Sequence, residues 1–272
     1  MTAFILFLLL GAVIGSFGTL IGVGGGFVLL PVLLWLYPNE PPEILAGISL
    51  AVVFFNALSG SIAYGRQKRI EYKSGLLFAA AALPGTILGA MATELIPRRW
   101  FDFVIGSLLI IASIVMLFRP LRATSTVHEV HGRGMKVSLT DAAGVSYTFR
   151  YNLWLGLSLS FVVGFISSIL GIGGGIIHVP ALVHLLNFPV HIATATSHFI
   201  LALMTFSGSM THLIAGHLAT GFARILPLAI GVIIGAQLGA RLSNHLHGTH
   251  IIRALAFALL LVGLRTVWRL WI

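Results

Sequence analysis

Two short glycine clusters recur along the chain, and each places chemically usable backbone inside apolar sequence. Gly22-Val23-Gly24-Gly25-Gly26 is followed by Pro31, and Gly171-Ile172-Gly173-Gly174-Gly175 by Pro180, an offset of 149 residues. Glycine costs about 1 kcal/mol relative to alanine within a helix, so three in a row should break one. The following proline marks where a second helical piece begins. The N–H groups of such a turn, next to a helix N-terminus, form a positive concavity that attracts anions. Gly24, Gly25, Gly26, Gly173, Gly174 and Gly175 are therefore candidate solute-binding positions. Close helix packing is the competing use of small residues in membranes, and it is the reading for Gly11, Ala12, Gly15 and Gly18.

Polar side chains within the apolar sequence supply the second part of the pattern. Ser49 matches Ser197, and Ser59-Gly60-Ser61 matches Ser207-Gly208-Ser209, both at an offset of 148, while Gly85 and Gly89 match Gly235 and Gly239 at 150. Hydroxyls at Ser49 and Ser197 and the amide of Asn56 would contact a solute, although most helical serines simply bond the preceding turn. The histidines break the symmetry, since none precedes His128, and His178 and His198 align with Leu29 and Leu50. An imidazole takes a proton near neutral pH and can then pair with an anion, so His178 or His198 is a candidate coupling group. A buried histidine bonded to a carbonyl is the plainer alternative.

What is missing narrows the chemistry. No Asp or Glu follows Asp141, so the carboxylate relays of many cation carriers are unavailable in the second half. Cysteine is absent and no close histidine pair sits with a carboxylate, so neither a metal site nor a cofactor is expected. Ser197 beside His198 invites an intramembrane hydrolase reading, but adjacent helical residues do not face each other. A passive anion channel uses the same groups and stays open as an alternative.

The elements that must hold these groups follow from composition. Hydrophobic residues make up 58% of the 272 and charged residues only 8%, against roughly 25% charged in soluble domains. The apolar residues fall into eight blocks, 3–37, 44–64, 74–93, 100–118, 152–186, 192–215, 219–242 and 251–272. Each is long enough to cross a bilayer as a helix. The expectation is an all-α polytopic membrane protein. Its parts are a first four-block repeat over 1–118, a polar linker over 119–151 and a second repeat over 152–272. Four crossings per half would give the halves the same orientation. Blocks 3–37 and 152–186, at 35 residues each, would reach about 52 Å as straight helices, so each should be a helix, an unwound glycine segment and a second short helix, whether crossing or re-entrant. Within the linker, alternation over 135–139 and 145–151 suggests a small β-hairpin.

The net charge of +9 is read as topology rather than as nucleic-acid binding. Arg66, Lys68, Arg69 and Lys73 lie in one loop, and Arg119, Arg122, Arg133, Lys136 and Arg150 lie in the linker, while 37–43 and 187–192 hold no Lys or Arg. The positive-inside rule then places 65–73 and 119–151 in the cytoplasm, the two uncharged-to-acidic loops outside and both termini inside. With no Lys or Arg in Met1–Leu10, the first block is read as a mature membrane segment.

The duplicated Gly-x-Gly-Gly-Gly with its proline, the serine-bearing second helix of each half and Pro84-Gly85-Thr86-Ile87-Leu88-Gly89-Ala90 together resemble the TauE/SafE sulfite exporter family. The resemblance covers nearly the whole chain outside the linker. It implies a secondary carrier, in a bacterial inner membrane, for a small anion such as sulfite, a sulfonate or a carboxylate, with a proton or sodium ion as coupling partner.

Overall fold

The computed structural model describes residues 2–118, 134–219, 221–243 and 249–268. Residues 119–133, with His128 and His131, lie outside the described residues, as does Arg269. The described part of the first half contains α1 (Thr2–Ile21), α2 (Gly26–Leu36), α3 (Pro42–Arg66), α4 (Tyr72–Ala92), a 3-10 turn (Thr93–Leu95) and α5 (Arg98–Phe118). Two strands follow, β1 (Met135–Thr140) and β2 (Ser146–Tyr151), then α6 (Leu153–Ile169), α7 (Gly175–His184), α8 (Val190–Ile214), α9 (Phe222–Leu242) and α10 (Thr249–Trp268). Among the described residues, α1, α3, α4 with its 3-10 extension, α8 and α9 are long and apolar enough to cross a membrane.

The helices begin and end where local chemistry directs. Pro42 opens α3, the Glu71 carboxylate accepts from the Ser74 N–H at the start of α4, and Asn152 accepts from the Trp154 and Leu155 amides at the start of α6. The glycine clusters end α1 and α6. Gly22, Gly24 and Gly25 have φ of 87°, 80° and 79°, and Gly171, Gly173 and Gly174 have 66°, 81° and 83°. This left-handed backbone is nearly free for glycine and costly for other residues, and it reverses the chain.

Packing shows where each reversed chain goes. The α1 helix runs parallel to α9, with Leu8 against Gly231, Ala12 against Gly235 and Ser16 against Gly239. A methyl group at any of these three α9 glycines would sit 2.2 Å from a backbone carbonyl oxygen of α1. The α4 and α6 helices make the corresponding parallel pair, with Gly85 and Gly89 on the Phe161 and Phe165 carbonyls and Gly164 on that of Ala82. Gly47 meets His212, Leu50 meets Gly208 and Gly60 meets His198, so α3 and α8 are antiparallel. The α5 and α10 helices also pack together, Gly106 against Gly263. The tightest seams thus join one half to the other.

Both glycine-broken segments return to the end they came from. Tyr37 and Glu40, just beyond α2, meet Arg224 in the first turn of α9, level with the start of α1. Leu186, just beyond α7, lies beside Gly156 in the first turn of α6. The blocks 3–37 and 152–186 are therefore hairpins with buried tips. The corresponding helices α3 and α8 run antiparallel, so the same-orientation expectation fails. The expected sidedness fails with it. The loop 185–189 lies with 65–71 and the strands, while 37–41, 93–97, the start of α1 and the end of α10 lie at the opposite end. The glycine turn itself is the physical reason, because it reverses direction where a kinked crossing would have kept it.

The two strands pair in antiparallel register from Met135 with Tyr151 to Thr140 with Ser146. They are docked rather than free. Arg69 pairs with Asp141 at 3.4 Å, the Ala142 N–H donates to the Gln67 carbonyl, and the Tyr151 and Ser74 hydroxyls are 2.6 Å apart. Phe149 and Tyr151 stack against Phe188 in the loop before α8.

The arrangement predicts opposite labelling of two single cysteines placed in this cysteine-free chain. One at Lys68 and one at Thr2 should react with a membrane-impermeant maleimide from different sides of the membrane. Labelling from the same side would refute the hairpin geometry.

Candidate functional site

The two glycine turns meet in the middle of the bundle. A Cβ at Gly26 would lie 2.4 Å from the Ile172 carbonyl oxygen, and one at Gly175 would lie 2.5 Å from the Val23 backbone. Gly24 and Gly173 both face Val53 of α3 and Leu201 of α8, whose side chains fill the space between the turns. Gly25 rests on Ile14, and Gly174 on Val163 and Ser167. All six glycines named by the sequence are buried.

The α2 and α7 helices start at these turns. Gly25 and Gly174 are their N-caps, and neither helix has a side-chain cap. The Val28 and Ile177 N–H groups bond the Gly25 and Gly174 carbonyls at 3.0 and 3.1 Å, and the amides that precede them bring the positive end of each helix dipole into the apolar centre. Such an arrangement is unfavourable unless something accepts from it.

Ser49 and Ser197 add a second unsatisfied feature. Both are fully buried and neither Oγ has a partner. This departs from Thr86, Ser113 and Thr205, each of which bonds the carbonyl four residues back. Ser49 lies one turn from Ala46, which touches Gly171, and one turn from Val53, which touches Gly173. Ser197 stands likewise between Thr194, against Gly22, and Leu201, against Gly24. Each serine therefore belongs to the helix stripe that faces the glycine turn of the other half. The Ser167 and Ser168 hydroxyls, at the end of α6, are also buried without partners.

The remaining sequence candidates separate. Asn56 Oδ1 accepts from Thr19 Oγ1 at 3.1 Å, and His198 Nε2 lies 3.3 Å from the same hydroxyl. Tyr64 donates to the Thr19 carbonyl at 2.7 Å and stands edge-on to the His198 ring. This network ties the end of α1 to α3 and α8. His178 instead pairs with Ser160 at 3.2 Å inside the α6–α7 hairpin. His198 bonds Thr19 and Ser197 has no partner, so the two do not form a nucleophile–base pair.

Sequence reading missed Val53, Leu201 and Thr19. Val53 and Leu201 stand 148 residues apart, the offset that links Ser49 to Ser197, so the repeat could have flagged them. Thr19 matches Ser168 at the glycine-cluster offset of 149, but the repeat does not show the tertiary network that gives Thr19 its importance.

Close packing and unpaired hydroxyls predict opposite effects on stability. Gly26→Ala should destabilise the purified protein by about 1–3 kcal/mol through overpacking against Ile172. Ser49→Ala and Ser197→Ala should be neutral or stabilising, since each removes a buried group with no partner. Thermal unfolding in detergent would check both, and a large loss at either serine would show that its hydroxyl is structurally bonded.

The chain is similar over nearly its whole length to proteins named as membrane transporters. The chain is 34% identical over 272 residues to "Probable membrane transporter protein YunE" of Bacillus subtilis (strain 168), covering 98% of each chain. It is 26% identical over 263 residues to a "Probable membrane transporter protein" of Xylella fastidiosa (strain Temecula1 / ATCC 700964), covering 96% of this chain and 94% of the other. It is 25% identical over 271 residues to "Probable membrane transporter protein MJ0441" of Methanocaldococcus jannaschii, covering 95% and 93%. No solved structure matches it. The family described as Sulfite exporter TauE/SafE matches residues 7–266, so the chain belongs to that family of multi-pass membrane proteins.

Proposed function

We propose that the protein is a secondary carrier for a small anion, held where the two glycine turns meet. The observation that carries this reading is the pairing of two uncapped helix N-termini with two unpartnered serine hydroxyls at one buried place. Donors without acceptors, in a half-chain free of Asp and Glu after Asp141, suit a negative solute and repel a cation. In carriers, discontinuous helices at corresponding positions of two repeats mark the solute site. Ser49 and Ser197 would donate hydroxyl hydrogen bonds, while Gly25, Gly26 and Gly173–Gly175 present backbone amides; the Gly24 N–H is already given to the Gly18 carbonyl at 3.0 Å. Asn56 and His198 would act through Thr19, at the edge of the site.

Membership of a sulfite exporter family makes sulfite, sulfonates and related organosulfur anions the substrate class we propose. The opposed orientation of the halves supports an inverted duplication, and with it alternating access by exchange of conformations between them. Val53 and Leu201 occupy the centre, so solute entry requires them to move, which favours a carrier over a continuously open channel. The end with Arg66, Lys68, Arg69, Lys73, Lys136 and Arg150 is the more basic, so we place it in the cytoplasm. The start of α1 and the end of α10 then face outward, reversing the expectation from the sequence.

The test is thermal stabilisation of the purified protein by sulfite, thiosulfate, sulfoacetate and simple carboxylates, followed by flux in proteoliposomes. Gly25→Val and Gly174→Val should reduce flux to that of empty liposomes. The Ser49→Ala, Ser197→Ala double variant should stay folded and lose the anion-induced shift. Wild-type flux in both glycine variants would end the central-site reading.

A further inference from the structure

At the end of the bundle where α8 finishes, three titratable side chains line up with a gradient of burial. Glu94 Oε1 of the 3-10 turn lies 3.0 Å from His217 Nε2, and His217 Nδ1 lies 3.0 Å from His212 Nδ1. The side chains of Glu94 and His217 are 49% and 16% exposed, whereas His212 is 1% exposed and its Nε2 is buried without a partner. The loop fixes this geometry, because Gly216 takes a φ of 84° and the His217 N–H donates to the His212 carbonyl. Gly47 of α3, with Leu218 beside it, packs against His212. Glu94 and His212 also line a cavity of about 720 Å³ between α4 and α8, walled by Leu83, Ile87, Met91 and Phe206.

Hydrogen bonding fixes the tautomers once Glu94 is ionised. A carboxylate only accepts, so His217 carries its proton on Nε2. A neutral His217 then has a lone pair on Nδ1, which obliges His212 to donate from its own Nδ1. That leaves His212 Nε2 as a bare, buried acceptor. A proton added there makes His212 an imidazolium. Moving the shared proton between the two Nδ1 atoms then carries the charge to His217, beside the Glu94 carboxylate, with no ring rotation.

We propose that Glu94, His217 and His212 form a single proton-binding relay, which holds one added proton between the buried face of His212 and the surface at Glu94. The relay gives the bundle a place to take up a positive charge together with an anion. Its use as the loading point of a coupled proton rests on the carrier reading, whereas proton binding itself does not.

The experiment is a pH titration by ¹⁵N-histidine NMR of the full chain in lipid nanodiscs, needing no solute. The signals would be assigned through His212→Gln and His217→Gln. Both rings should change together in one shared step, and Glu94→Gln should lower its midpoint. Glu94→Asp, which keeps the charge, should hold the wild-type midpoint and so separate charge loss from misfolding. Independent titration of the two rings, or a midpoint unmoved by Glu94→Gln, would overturn the relay. Either result leaves the anion-binding experiments untouched, so the two proposals fail separately.

Discussion

Backbone against backbone at the glycine turns is the constraint on which the rest of this fold depends. Gly26 lies on the Ile172 carbonyl and Gly175 on the Val23 backbone, with no room at either contact for a side chain. Since each turn is the floor of the other, neither hairpin tip is complete without its counterpart. The long helices then follow, with α3 and α8 crossing beside the tips and supplying Val53 and Leu201 as filler. Non-helical backbone at membrane depth is tolerated only where protein or water surrounds it, and here protein does so.

Much of this could be read in the residues before any coordinates. The broken helices were legible because triple glycine has few other uses in apolar sequence, and the paired strands because alternation flanks Thr140–Gly144. The direction of the chain after each break was not legible. A hairpin and a kinked crossing have the same composition, and only the left-handed φ values and the partners of α2 and α7 distinguish them. Counting loops by charge inherited the same error, since sidedness alternates with every crossing counted. Glycines assigned to packing, Gly11 and Gly15, do meet α9, at Leu228 and Val232, but no periodicity in the sequence says that their partner lies in the other half.

The halves match in geometry more than in chemistry. Tyr64, 148 residues before His212, joins the Thr19 network, while His212 faces His217. The return helices are anchored differently as well. The loop after α2 is held by the Arg224 guanidinium, which pairs with Glu40 and stacks on Tyr37 at 3.8 Å. Arg98 also donates to the Glu40 carbonyl. The loop after α7 is held by the ring of Phe188 among Phe78, Phe149 and Tyr151. Separating one end means breaking partly exposed ion pairs, which are individually weak and screened by salt. Separating the other exposes aromatic surface to water, which salt strengthens rather than weakens.

The pairing of α1 with α9 also bears on how the chain is made. The glycine face of α1 is synthesised some two hundred residues before its partner on α9. At ~5–20 residues per second, that is a delay on the order of 10–40 seconds. Through that interval α1 carries a small-residue stripe with nothing to close it, as α4 does more briefly until α6 arrives. Closure of this seam is therefore an event that waits for α9, and a ribosome that stalls before α9 leaves α1 without its mate.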